Sequence, residues 1–322
     1  MEKHVKSSKP HLSPESSFFV RLNAYLHERF PLFGHGILIV SYYSSNQFLA
    51  QTLELPGQPV RYELHSLMGA ITVFCIFFHL RVFDEHKDYE DDCVHYPDRV
   101  LSRGLITLRH LKLLGGGAIV IELVLAAWRG PAALTAVLAA LGFSFLMLKE
   151  FFVSSWLKKH FLLYATTHML IMPFLALVAY SFTTQNLPWN APPLFWVYAF
   201  VGFFVTFNWE ISRKIRVPQD EKSGVQSYSK LFGMFGAAYA VILIRMIDTA
   251  MVSTVGFQLG LSPWFYAILV GLFFVCLIGL WQFKTNPCRT TANRMETYAG
   301  MYIIAFDITL AVAIIHKVGI IV

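Results

Sequence analysis

Apolar residues in this chain gather in blocks of about twenty, separated by shorter polar segments. The blocks run over 32–49, 63–83, 105–128, 131–149, 162–182, 194–211, 232–250, 264–283 and 298–317. As a helix, about 20 residues cross a hydrocarbon core of about 30 Å. The blocks lack sustained apolar/polar alternation and are about twice the length of a membrane-barrel strand. Backbone groups in lipid must be satisfied within the segment, which a helix does and an isolated strand does not. The pattern therefore predicts an all-α fold: a multi-span transmembrane helical bundle of about nine helices. Ahead of the first block, residues 18–29 read as an amphipathic interfacial helix. The expected organisation is a tail and interfacial helix over 1–30. A single transmembrane domain then fills 31–322, with polar loops at 83–105 and 210–231.

Composition supports a membrane protein. Of 322 residues, 56% are apolar and 14% charged. A soluble domain carries about 25% charged residues, so this chain has too few for a surface wholly in water. Residues 1–17 are polar and basic, without the apolar core of a cleavable signal. Cys75, Cys93, Cys276 and Cys288 show no metal-site spacing and are expected to be reduced.

The net charge of +6 raises nucleic acid as a partner, but the distribution excludes it. The bases sit in short segments between spans, the pattern of membrane topology. Lys3, Lys6, Lys9, Arg21 and Arg29 precede the first span, and further basic segments fall at 84–112, 149–159, 213–230 and 284–294. The alternate segments hold only Arg61, Arg129 and Lys317. This asymmetry places the N-terminus and both long loops in the cytoplasm, with the C-terminus outside.

The first long loop reads Asp84-Glu85-His86-Lys87-Asp88-Tyr89-Glu90-Asp91-Asp92. On a helix, Glu85, Asp88 and Asp92 fall on one face at i, i+3 and i+7, with Asp84 and Asp91 nearby. Two such carboxylates repel by about 1 kcal/mol in water and about 4 kcal/mol at an effective dielectric of 20. A hard divalent cation relieves that repulsion, and Mg²⁺ is commonly shared between a few carboxylates and substrate phosphates. Arg99, Arg103 and Arg109 follow closely, and acids beside bases suit a metal-bound diphosphate. Two plainer readings stay open: a solvated acidic cap, or acids and bases that pair with one another.

The run Asp84-Glu85-x-x-Asp88-x-x-x-Asp92 resembles the first aspartate-rich motif of the UbiA family of membrane prenyltransferases. The following Arg99-Val100-Leu101-Ser102-Arg103-Gly104 is similar to the family's Arg-Pro-Leu-x-x-Gly segment. The resemblance implies a UbiA-like fold and Mg²⁺-dependent transfer of a polyprenyl group from its diphosphate to a hydrophobic or amphipathic acceptor. It implies Asp84, Asp88 and Asp92 as catalytic Mg²⁺ ligands, with Glu85 assisting, and Arg99 and Arg103 as diphosphate contacts.

The second loop departs from the family pattern. Its tail, Asp220-x-x-x-Gly224-x-x-Ser227, matches. Four and seven residues before Asp220, where the family has acids, stand Arg216 and Arg213. The nearest upstream acid is Glu210, one turn before Arg213 and Lys214. One reading is a local ion pair at the end of a span. The other is that Arg213 and Lys214, with Glu210, replace a second metal as phosphate clamps, Asp220 remaining a weaker metal candidate.

Other ionisable residues lie at or within spans. Glu150 is a candidate general base for an acceptor, and Lys158 and Lys159 share its segment. Arg245 and Asp248, at i and i+3, are expected to pair. Asp307, His65, His79 and His168 admit structural roles. The 29 Phe residues suit an apolar channel for an isoprenoid tail, where aromatic faces shelter an allylic cation. Alternative functions are phosphosugar transfer to a polyprenyl phosphate, membrane terpene cyclisation, transport, or a non-catalytic membrane protein.

Overall fold

A computed structural model describes residues 12–322. The tail bases Lys3, Lys6 and Lys9 lie outside the described residues. The helix expected over 18–29 is α1 (Phe18–Arg29), capped by Ser17, whose hydroxyl accepts from the Val20 amide at 3.4 Å. The remaining helices are α2 (Leu32–Glu54), α3 (Leu64–Lys87), α4 (Tyr89–His95), α5 (Leu108–Arg129), α6 (Pro131–Leu148), α7 (Ser154–Leu157) and α8 (Phe161–Met169). They continue with α9 (Ile171–Thr184), α10 (Pro193–Ser212), α11 (Tyr228–Phe232), α12 (Met234–Gln258), α13 (Pro263–Thr285) and α14 (Arg289–Val318). A parallel two-residue pair joins β1 (Val60–Arg61) to β2 (Ile320–Ile321).

Among the described residues, eight helical segments are long and apolar enough to cross a membrane. They are α3, α5, α6, α8 with α9, α10, α12, α13 and α14. The remaining expected span, 32–49, is the 23-residue helix α2. Its Ser41, Ser45, Asn46 and Gln47 make it more polar than the others, and all four are buried. Gln47 Nε2 donates to Ser66 Oγ and to the Arg61 carbonyl, each at 2.7 Å. Asn46 Nδ2 donates to the Tyr42 carbonyl at 2.8 Å. A polar helix is tolerated inside a bundle when its groups find such partners.

Two expected spans change in detail. Block 162–182 is two helices that meet at Leu170. Pro173 supplies no amide, and its ring clashes with the carbonyl four residues back, that of Met169, so α8 ends there. Block 131–149 ends at Leu148, and Glu150, Phe151 and Phe152 follow at φ of 46°, 54° and 60°. Three consecutive left-handed non-glycine residues cost about 1–2 kcal/mol each. The turn is held by packing: Phe151 lies edge-on to Phe143 and His168 at 5.7 and 5.9 Å.

Tertiary contacts divide the chain into two compact units. The boundaries fall within α2, α3 and α5. The first unit takes the described part of Met1–Gly36 with Phe74–Ile121. Its core joins Tyr25 of α1, Val82 of α3, Leu111 of α5 and Val100, Leu101, Leu105 and Ile106 of the intervening turn. Helix α5 approaches α3 at Gly115, where a Cβ would come within 2.9 Å of Val82.

The second unit takes Ile37–Val73 with Glu122–Val322. Within it α10 packs against α9, α12 and α14, while α6 lies on α9 and α13 between α12 and α14. Its most deeply buried charges are paired. Arg245 and Asp248 are fully buried and 2.8 Å apart, and a second Arg245 nitrogen donates to Asn208 Oδ1 at 2.8 Å. The Tyr302 ring lies 3.6 Å from the same guanidinium. Ser45 and Tyr198 hydroxyls donate to Asp307 at 2.5 and 2.7 Å. The pairing of Arg245 with Asp248 makes two intramembrane charges structurally affordable.

Candidate functional site

The acidic segment lies in the first unit, where α3 passes into α4. The helix is interrupted at Asp88, which has φ −99° and ψ 5° and lies at the N-cap of α4. One continuous helical face across the motif is thus not formed. Two backbone hydrogen bonds still carry the helical spacing through the bend. The Asp88 amide donates to the Asp84 carbonyl at 2.9 Å, and the Asp92 amide to the Asp88 carbonyl at 2.8 Å. Asp84, Asp88 and Asp92 therefore follow one another at one-turn intervals, each half-buried.

Every acid whose partners are resolved faces a base. Lys87 Nζ lies 3.2 Å and Arg81 3.8 Å from Asp84. Glu85, with its side chain 1% exposed, accepts from Arg29 Nε at 2.6 Å. Asp92 takes a hydrogen bond from Arg99 and has a second Arg29 nitrogen at 3.6 Å. Burial works against the Arg29 charge, but the Glu85 and Asp92 carboxylates outweigh it and raise the guanidinium above its ordinary value. Burial, and then the Glu85 charge, push the Tyr25 phenol well above its usual range, so it stays neutral.

The bases that follow are set by a compact turn. The Arg103 amide donates to the Arg99 carbonyl at 2.9 Å, and the Leu105 amide to the Val100 carbonyl at 3.1 Å. Gly104 closes the turn at φ +71°, a backbone region that glycine enters without strain. Arg99 stacks over the Tyr96 ring at 3.9 Å. Arg103 is exposed and donates to the Leu12 carbonyl at 2.9 Å. Arg109 is also exposed, in the first turn of α5.

Hard carboxylate oxygens at one-turn spacing match Mg²⁺ in donor type. Among the described residues, however, no group of three or more His, Cys, Asp or Glu side chains converges as a ready metal cage. Asp84, Glu85 and Asp92 turn instead to guanidinium and ammonium groups. The donors fit Mg²⁺ by type and spacing.

The second loop lies in the second unit. Helix α10 ends at Ser212, and Glu210 is buried one turn inside it. Lys214 Nζ lies 2.6 Å from Glu210 Oε1, and Arg213 pairs with Oε2. Arg213 rests 5.3 Å from the Trp209 ring, and Lys214 4.9 Å from Phe161. Arg216, in place of a family acid, donates to the Arg213 and Ile215 carbonyls at 2.8 and 2.9 Å, so it serves the backbone of its own turn. Asp220 ends the turn Pro218–Asp220, and its half-buried carboxylate makes no hydrogen bond or ion pair with the described residues. Ser227 caps α11 by accepting from the Lys230 amide at 3.1 Å and donates to Glu221 at 2.6 Å. Burial, followed by the Glu210 charge, raises the Tyr228 phenol well above its usual range.

Glu150 is buried in the left-handed turn after α6. Ser154 donates to one oxygen, and Lys158 lies 3.6 Å from the other. The residue that sequence reasoning missed is Arg29. It is legible there only as one of several tail bases, because its partner Glu85 is 56 positions away.

The model of the UbiA prenyltransferase family matches residues 48–303. The chain belongs to the UbiA prenyltransferase family. As a UbiA member with eight such apolar helices among its described residues, it is an integral multi-pass membrane protein. Solved structures carry the same fold at low identity. A UbiA homologue from Aeropyrum pernix K1 is 14% identical with a TM-score of 0.66, over 88% of this chain and 97% of that one. A digeranylgeranylglyceryl phosphate synthase is 17% identical with a TM-score of 0.61, over 92% and 99%. A UbiA homologue from Archaeoglobus fulgidus, bound to GPP and Mg²⁺, is 14% identical with a TM-score of 0.56, over 92% and 100%. No curated protein matches the chain.

Proposed function

We propose that this UbiA protein transfers a polyprenyl group from its diphosphate to a hydrophobic or amphipathic acceptor, with Mg²⁺ as cofactor. The observation that carries the reading is the ladder of Asp84, Asp88 and Asp92 at one-turn spacing, beside Arg99 in the turn closed by Gly104. The Archaeoglobus fulgidus homologue bound to DMAPP and Mg²⁺ holds ligands of the same chemical class. Charge asymmetry between the loops supports a cytoplasmic N-terminus and cytoplasmic polar loops, with the C-terminus outside.

Asp84, Asp88 and Asp92 are the residues that would hold the metal, Glu85 being engaged by Arg29. Bound Mg²⁺ supplies positive charge that makes diphosphate a better leaving group. Arg99 and Arg103 present forked donors that suit phosphate oxygens and stabilise the charge that develops on them. The carbon–oxygen bond to the prenyl group breaks with its electron pair leaving on diphosphate. The acceptor forms the new bond to that carbon and loses a proton. Arg213 and Lys214 of the second loop are proposed as phosphate contacts, through the donors left over from their pairing with Glu210. Asp220, without a side-chain partner among the described residues, is the weaker metal candidate.

The test is diphosphate release from geranylgeranyl diphosphate by reconstituted protein, with and without a membrane lipid extract as acceptor source. Asp88→Ala should abolish release while leaving the protein folded. Full activity of that variant refutes the site. Release that yields a cyclised hydrocarbon without any acceptor would assign the protein to terpene cyclisation instead.

A further inference from the structure

Arg29 lies outside every motif that carries the family likeness, yet it engages two residues of the acidic segment at once. Its Nε donates to Glu85 Oε1 at 2.6 Å, and its Nη2 lies 3.6 Å from Asp92 Oδ2. Glu85 and Asp92 are two helical turns apart in sequence, and the bend at Asp88 falls between them. A planar guanidinium with donors on several edges bridges such a pair, whereas an ammonium acts as a single point. The Glu85 side chain is only 1% exposed, and a carboxylate so buried needs a cation against it. Arg29 is that cation.

Helix α1 is fastened to the segment independently of Arg29. Glu28 accepts from the Val100 amide at 3.2 Å, and Arg21 donates to the Leu105 carbonyl at 3.1 Å. Tyr25, fully buried, packs in one core with Val82, Val100 and Leu101. The guanidinium is thus delivered by a helix that is already docked, and its position does not depend on a flexible stem alone.

We propose that Arg29 is a positioning residue of the metal site, a built-in counter-ion that removes Glu85 from the metal's donor set and fixes Asp92. The metal then falls to Asp84 and Asp88 together with Asp92. This rests on the Mg²⁺-dependent reading above. Without the guanidinium, the acidic segment carries one more net negative charge and a buried carboxylate without a cation. A divalent ion then binds more tightly, but α1 is held less firmly.

Mn²⁺ binding to the reconstituted protein without substrate, read by the loss of the free-ion paramagnetic resonance signal, tests this. Amide exchange of residues 18–29 is the second readout. Arg29→Gln should bind Mn²⁺ roughly tenfold more tightly and exchange faster over 18–29. Arg29→Gln combined with Glu85→Gln, which leaves the net charge of the segment unchanged, should keep Mn²⁺ affinity within about twofold and exchange faster over the same residues. Unchanged or weaker Mn²⁺ binding by Arg29→Gln overturns the proposal. So does roughly tenfold weaker binding by the double variant, which would make Glu85 a ligand. If Arg29→Gln alone fails to fold, as exchange across α12–α14 would reveal, the double variant decides alone. No Mn²⁺ bound by the unsubstituted protein, even with geranyl diphosphate added, would overturn the functional reading and this proposal together. Binding by the unsubstituted protein without the Arg29→Gln gain overturns this proposal alone.

Discussion

The two polar loops solve the same electrostatic problem by opposite means. In the first, carboxylates dominate and their counter-charges come partly from afar: Arg29 reaches Glu85 across 56 positions. In the second, a single buried carboxylate, Glu210, is neutralised by its own helix through Arg213 and Lys214 at i+3 and i+4. A local pair forms whenever the helix forms and adds little constraint beyond it. A remote pair forms only when the tertiary structure is correct, so it both reports and fixes that structure. On the proposed reading, the first loop holds several acids in place for a cation and the second keeps two bases for an anion.

Substitutions that break this comparison should differ most in their effect on turnover. Asp92→Ala should lower prenyl-diphosphate turnover by about a thousandfold or more, a loss of roughly 4 kcal/mol of transition-state stabilisation. Asp220→Ala should cost no more than about tenfold in the same assay. Equal losses would mean that both loops bind metal. Next in size is a control within the second unit. Arg245→Met should destabilise the protein by about 3 kcal/mol, because it strands buried Asp248. Arg245→Met with Asp248→Leu should recover most of that, read as thermal unfolding in detergent. Recovery would show that this intramembrane pair is structural.

Smaller effects sharpen the account of the second loop. Arg213→Ala should raise the KM for the prenyl diphosphate about tenfold, near 1.4 kcal/mol, with kcat little changed. An unchanged KM would leave Arg213 as the local partner of Glu210 and nothing more. Smallest of all, Gly104→Ala should destabilise by about 1 kcal/mol, since it places a side chain at φ +71°. Its turnover should fall through Arg99 and Arg103, which the same turn aims.

Much of this was legible from residue order because it depends on local periodicity. Span lengths and the i, i+3, i+4 spacing of Glu210, Arg213 and Lys214 require only helical geometry. The acidic ladder was legible for the same reason, though the bend at Asp88 was not, since nothing in Lys87-Asp88-Tyr89 breaks a helix. The break at Leu170 has a visible cause in Pro173, but an apolar block conceals it from a reading by hydropathy. Helix α2 shows the converse: its serines, Asn46 and Gln47 weaken the apolar signal, and tertiary partners engage two of them, Ser66 for Gln47 and Asp307 for Ser45. The left-handed turn at Glu150–Phe152 and the Arg29 bridge lie beyond sequence reading, because distant packing imposes both.

Turnover of geranylgeranyl diphosphate in reconstituted bilayers, titrated with Mg²⁺ and then with a chelator, tests the central claim most directly. The expected result is activity that saturates with Mg²⁺, vanishes on chelation, returns on Mg²⁺ addition, and is absent from Asp88→Ala at every Mg²⁺ concentration. Turnover that persists in chelator, or that Asp88→Ala retains, would contradict a metal-diphosphate site on the Asp84–Asp88–Asp92 ladder.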